Sequence, residues 1–106
     1  MALITLAEAK NYLRVDTTDD DALIVGQLLA AERMSVDVGR LTEDEWAEVD
    51  GTPAVDDAAS LVALRATIKM AALYALGYLY EHRDEADHHD LTMTLRALLF
   101  AVREGR

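Results

Sequence analysis

From Met70 to Tyr80 the chain reads MAALYALGYLY, with no charge and with apolar residues on nearly every side of a helix. A helix that is apolar all round must be covered by other elements. The helical pattern begins at about Asp57, carries Arg65 and Lys69 on one face near its start, and ends at Glu81. The uncharged run falls well short of the ~20 apolar residues that cross a bilayer. It therefore reads as the central, most buried helix of a core and not as a membrane span, and the remaining residues must supply its coat. Hydrophobic residues make up 52% of the chain, with one Trp and one Phe among them, and the abundance of Ala, Leu and Val favours tight helix packing over a sheet.

The rest of the sequence writes further helices. Thr5 with Glu8 three residues later has capping-box spacing and starts a short helix from about Leu6 to Arg14, with Leu6, Ala9 and Leu13 on one stripe. Thr17 and Thr18 interrupt it. Asp19, Asp20 and Asp21 are then expected in the first turn of a second helix, where carboxylates complement the helix dipole. That helix should run to about Val38 and stop at Gly39 in the left-handed conformation. Ile24, Leu28, Ala31 and Val38 mark one of its faces, and Val25, Leu29 and Val36 a second beside it. Only a wedge with Gly26, Arg33 and Asp37 is polar, so this helix is expected to bury more than one side, with help from a neighbouring subunit.

Residues 40–57 form an irregular acidic connection that includes the only proline, Pro53. Inside it Thr42 and Glu45 repeat the capping-box spacing and predict a one- or two-turn helix bearing Trp46. A charged loop, His82 to Asp90, follows the long apolar helix. Leu91, Leu95, Leu98 and Val102 then give the last helix its stripe. The expected fold is all-α: one domain over residues 1–106, a small bundle of about four helices, two shorter terminal ones around two long apolar ones.

Composition narrows function mainly by exclusion. The absence of Cys removes disulfides, thiolate ligands and cysteine nucleophiles. No basic segment leads into an apolar run at the start, so a signal peptide is not expected and the cytoplasm is the expected place of synthesis. Twenty acidic against ten basic residues leave a net charge of −10, which opposes adhesion to a phosphate backbone.

The clusters with chemical potential each have a plainer reading. His82, Asp84, Glu85, Asp87, His88, His89 and Asp90 are metal-ligand types, but no His-Glu-x-x-His occurs, and no Asp follows Asp90 as a metal phosphohydrolase requires; the stretch reads as a solvated loop. Asp16 to Asp21 fails as a calcium loop, since the sixth and twelfth places hold Asp21 and Gln27 instead of Gly and Glu. Ser35 and Ser60 have no His placed by a recognisable motif. Tyr74, Tyr78 and Tyr80 lack the basic groove that base stacking needs and are expected in core or interface packing. No catalytic residue, cofactor or metal site is therefore expected. Arg33, Arg65, Lys69 and Arg83, basic groups in a strongly acidic chain, are the expected contacts to neighbouring subunits.

Leu6-x-Glu8-Ala9-Lys10-x-Tyr12-Leu13-Arg14-Val15-Asp16 with Asp20-Asp21-Ala22-Leu23-Ile24, then Gly39-Arg40, then the apolar helix running into Tyr80-Glu81-His82-Arg83-Asp84 are three separated segments. In this order they resemble the phage head–tail connector (head-completion adaptor) family. Residues 41–57 lie outside the match. His82 stands where Asn is common, and Leu98 to Arg103 lacks the proline often found before the final arginine. The resemblance implies an all-α virion protein at the head–tail junction, made in the host cytoplasm and assembled as a homo-oligomeric ring under the portal protein. Such a ring joins the portal to a head-completion or tail protein, and DNA passes through it without adhering. Two alternatives stay open: a small acidic regulatory or antitoxin-like module with a defined heteromeric partner, and a metal-dependent hydrolase built on His82 to Asp90.

Overall fold

The Thr5 hydroxyl accepts from the Glu8 amide at 3.1 Å while the Glu8 carboxylate accepts the Thr5 amide at 3.2 Å, and this reciprocal cap starts α1 (Leu6–Leu13). In the computed structural model, which describes residues 3–84 and 87–104, α1 is followed by α2 (Asp21–Gly39), α3 (Glu43–Val49), α4 (Ala59–Glu81), α5 (His89–Leu98) and α6 (Phe100–Glu104). The described residues are all-helical, with no strand among them. Against the expected bundle of about four helices, six stand among the described residues: α3 is the short helix expected inside the acidic connection, and the last helix is broken at Leu99 into α5 and α6. Thr42 and Glu45 make the second capping box, and α3 begins there as the spacing predicts.

Both of the first two helices end on an arginine. Arg14 (φ 60°) closes α1 and Arg40 (φ 58°) closes α2, each in the left-handed region. In both cases the next amide reaches back over the last turn, Val15 to the Lys10 carbonyl at 2.9 Å and Leu41 to the Val36 carbonyl at 3.0 Å, which satisfies carbonyls the helix would otherwise leave open. Gly39, expected to be the left-handed terminator, is instead inside the helix. A Cβ there would lie 3.1 Å from Leu41 Cδ1 and 3.5 Å from Val102 Cγ1, so glycine serves close packing of α6 against α2. The start of α2 is also later than expected. Asp19 and Asp20 precede it, and the Asp20 carboxylate accepts from the Tyr80 hydroxyl at 2.7 Å.

The most extensive contact is between α2 and α4, and the other helices pack around that pair. Ile24, Leu28, Ala31 and Val36 of α2 meet Ile68, Ala71, Ala72, Ala75 and Leu76 of α4, all buried. Alanines at the crossing let the two backbones approach while the larger side chains fill the flanks, each buried Leu or Ile contributing about 1.5–3 kcal/mol. The Gln27 amide, partly buried, donates to the Leu79 carbonyl at 3.1 Å and ties the same pair. Ile4 and Leu3 close one end of this core, and the Leu3 amide is held by Asp50 Oδ1 at 2.9 Å. From α5 the buried residues are Leu91 and Leu95, continued by Leu99, whereas Leu98, expected inside, is half exposed. The packing follows the i, i+4, i+8 ridge instead of the i, i+4, i+7 stripe.

Candidate functional site

The outward sides of the two long helices are the first candidate surface. Opposite its buried stripe α4 presents Val62, Ala63, Ala66, Met70 and Tyr74, and no charged residue interrupts this face. Only 28% of the most apolar stretch of α4 is buried within the protomer. By length and composition alone α4 is able to cross a membrane. Its two internal cations are nevertheless engaged within the domain, Arg65 with Asp57 and Lys69 with Glu8. On α2 the exposed side is Ala22, Leu23, Gly26, Leu29 and Ala30, and towards the end of the helix it carries the exposed Arg33–Asp37 pair. Of the second face expected on α2, Val36 is buried and Val25 partly buried, while Leu29 is 49% exposed.

Two grooves border these faces. One, of about 510 Å³, lies between α3, α4 and α6. Leu61, Ala63, Leu64 and Val102 give it apolar walls, and Glu45 and Glu48 stand on the α3 side. The other, of about 720 Å³, runs between α1 and the end of α4 and is lined by Tyr12, Tyr74, Tyr78 and Tyr80 with Arg14 and His82. All four tyrosines of the chain thus come together. Spacing on α4 relates three of them, but Tyr12 joins only through the fold. Gly77 admits its ring, for a Cβ there would lie 3.2 Å from Tyr12 Cε2. Tyr78 stacks on His82 with centroids 4.0 Å apart, and the bond to Asp20 holds the Tyr80 hydroxyl above its ordinary pKa.

The four cations expected at subunit contacts are all engaged inside the protomer. Arg33 pairs with Asp37 and Glu43 across the α2–α3 turn. Arg65, 13% exposed, points its guanidinium three ways: Nε to the Val49 carbonyl, Nη2 to the Glu48 carbonyl and Nη1 to Asp57 Oδ2, each at 3.1 Å. It closes the C-terminal end of α3, whose last carbonyls have no helical donors. The Ala54 amide and Arg65 together hold Asp57 below the ordinary carboxylate range. Lys69 reaches Glu8 Oε2 at 2.6 Å and, with the Thr5 amide, lowers the pKa of that carboxyl. Arg83 donates to the Tyr80 carbonyl at 2.7 Å and lies 4.8 Å over the Tyr80 ring.

A group the sequence reading missed is Glu32. It is 2% exposed on the core side of α2, its Oε2 has no hydrogen-bond partner, and burial, with Asp50 adding to it, pushes its pKa up to about 7. Its position one residue after buried Ala31 was the available signal. In the His82 to Asp90 segment, Glu85 lies outside the described residues. Among the described ones, no group of three or more His, Cys, Asp or Glu side chains converges to hold a metal. His82 Nδ1 is 2.9 Å from the Tyr78 carbonyl, and His88 meets the edge of Tyr78. Set against protein-family models, curated proteins and solved structures, the chain matches none.

Proposed function

We propose that this protein works by assembly, as a head–tail connector of a tailed phage that forms a ring under the portal and joins it to a head-completion or tail protein. The observation that carries the reading is the uncharged outward face of α4, with Val62, Met70 and Tyr74 exposed on a protein of net charge −10. Contiguous apolar surface on a small acidic domain is covered most simply by partners, and repeated copies of one chain do so through closed symmetry. The resemblance of the Leu6–Ile24, Gly39–Arg40 and Tyr80–Asp84 segments to connectors supplies the biological setting. The acidity suits a conduit, because a wall of carboxylates repels phosphates and lets DNA slide.

The test is particle assembly. Phage made without this protein should accumulate filled heads that lack tails, and adding back the purified protein should restore infectious particles. Normal infectious particles formed in its absence overturn the proposal. A stable one-to-one complex with a single heterologous partner and no ring would favour the regulatory alternative.

A further inference from the structure

The cations that remain without an in-chain acidic partner point to a specific subunit contact. Lys10 pairs with Asp21, Arg33 with Asp37 and Glu43, Arg65 with Asp57, and Lys69 with Glu8. Among the described residues Arg14, Arg83 and Arg96 make no ion pair; Arg14 lines the tyrosine groove and Arg83 lies over the Tyr80 ring, while Arg96 is exposed on α5. It sits in an apolar setting: Met93, Ala97 and Phe100 share its side of α5 and α6, with Met93 half exposed and Phe100 63% exposed. The helical spacing survives the break at Leu99, since the Leu99 amide bonds the Leu95 carbonyl at 2.9 Å and the Arg103 amide bonds the Leu99 carbonyl at 3.0 Å. The result is a short outward stripe of apolar side chains with the Arg96 guanidinium among them, bounded by the exposed carboxylates of Asp90 and Glu104 and opposite the buried Leu91, Leu95 and Leu99.

The complementary shape lies elsewhere on the same molecule. The groove between α3, α4 and α6 has an apolar floor and an acidic rim. α3 carries four carboxylates and no cation, and Glu48 on that rim has no ion pair of its own. Phe100 and Arg96 do not line this groove in their own protomer, although Ala101 and Val102, next in sequence, form part of its wall.

We infer that the α3–α4–α6 groove receives the Met93–Arg96–Ala97–Phe100 stripe of a second copy of this chain, with Arg96 meeting Glu48. Groove and stripe are different surfaces, so the contact is heterologous and propagates from copy to copy, closing into a ring when the rotation allows. The inference rests on the ring reading above and names its contact. Paired charges at such an interface set register and partner choice.

Sedimentation velocity on the full chain, over a range of protein and salt concentrations, tests it. Arg96→Glu and Glu48→Arg should each weaken self-association on the order of tenfold, as loss of a close interfacial charge pair does. The double variant R96E/E48R should recover assembly, as should a mixture of the two single variants. Phe100→Ser should weaken association with unchanged far-UV circular dichroism, since the side chain is exposed. Unaltered assembly of Arg96→Glu and Phe100→Ser overturns this contact while leaving the ring reading in place. Failure of the double variant to recover also overturns it. A wild-type chain that stays monomeric at every concentration overturns the contact and the ring together.

Discussion

Glu32 and Arg65 show how much a single side chain contributes here, in opposite ways. Burial raises the Glu32 carboxyl from 4.5 to about 7. Between those values the unfolded chain releases a proton that the folded chain retains, so this group's contribution to stability is lost as pH rises through that window and stays lost above it. Glu8 and Asp57, with lowered values, contribute in the other direction: their stabilisation is present above the ordinary carboxylate range and is lost as pH falls. Glu32→Gln should therefore gain about 1–3 kcal/mol over the parent at mildly alkaline pH and little in acid. Denaturant titrations of the two proteins across that range check it, and parallel stability curves would contradict it. Arg65 stabilises by satisfying three acceptors on α3 and the following turn. Arg65→Ala should cost about 2–3 kcal/mol. Arg65→Lys should recover little, because an ammonium lacks the planar fork. Stability unchanged in Arg65→Ala would remove the pin from the account of α3.

At the scale of elements, α2 and α4 hold the domain together and the short helices finish it. Leu76 is fully buried where α4 meets α2, while Leu79, one turn on, is only partly so. Leu76→Ala should lose about 2–5 kcal/mol, and Leu79→Ala less. The reverse order in thermal unfolding would relocate the core. α2 also carries a removable weakness. Gly26 lies mid-helix, and nothing stands within 4 Å of where its Cβ would be. Gly26→Ala should raise stability by about 0.5–1 kcal/mol through helix propensity alone, seen as a higher midpoint at unchanged helical content.

For the molecule as a whole the unusual property is an imbalance: charges are largely paired or solvated, while the uncharged outward face of α4 and the exposed Leu23 and Leu29 of α2 remain uncovered. Leu29→Glu and Met70→Glu, on the exposed sides of α2 and α4, should alter monomer stability by less than about 0.5 kcal/mol. If those faces are covered by partners, the same changes should abolish assembly or docking to the portal, most strongly at Met70, where the same face of the helix carries no cation and a buried carboxylate would be unpaired. Light scattering together with thermal unfolding separates the two effects, and full assembly of both variants would leave these faces without a role.

What the sequence determined by itself is local. The two capping boxes, at Thr5 and Thr42, mark helix starts because a cap is a contact between residues three apart. The uncharged Met70–Tyr80 run lies within the long helix α4, as its composition demands. Tertiary structure decided the rest. Leu99 went inside and Leu98 out because the packing partner selected among neighbouring apolar ridges. Gly39 stayed helical because a facing helix needed the space, and the left-handed turn passed to Arg40. The basic residues gave the least away: Arg65 and Lys69 look alike as charges in an acidic chain, yet their partners, Asp57 and Glu8, are set by how α3 and α1 pack on α4. A charge in a sequence carries its sign but not its neighbour, and only the fold leaves Arg96 free of an in-chain acidic partner.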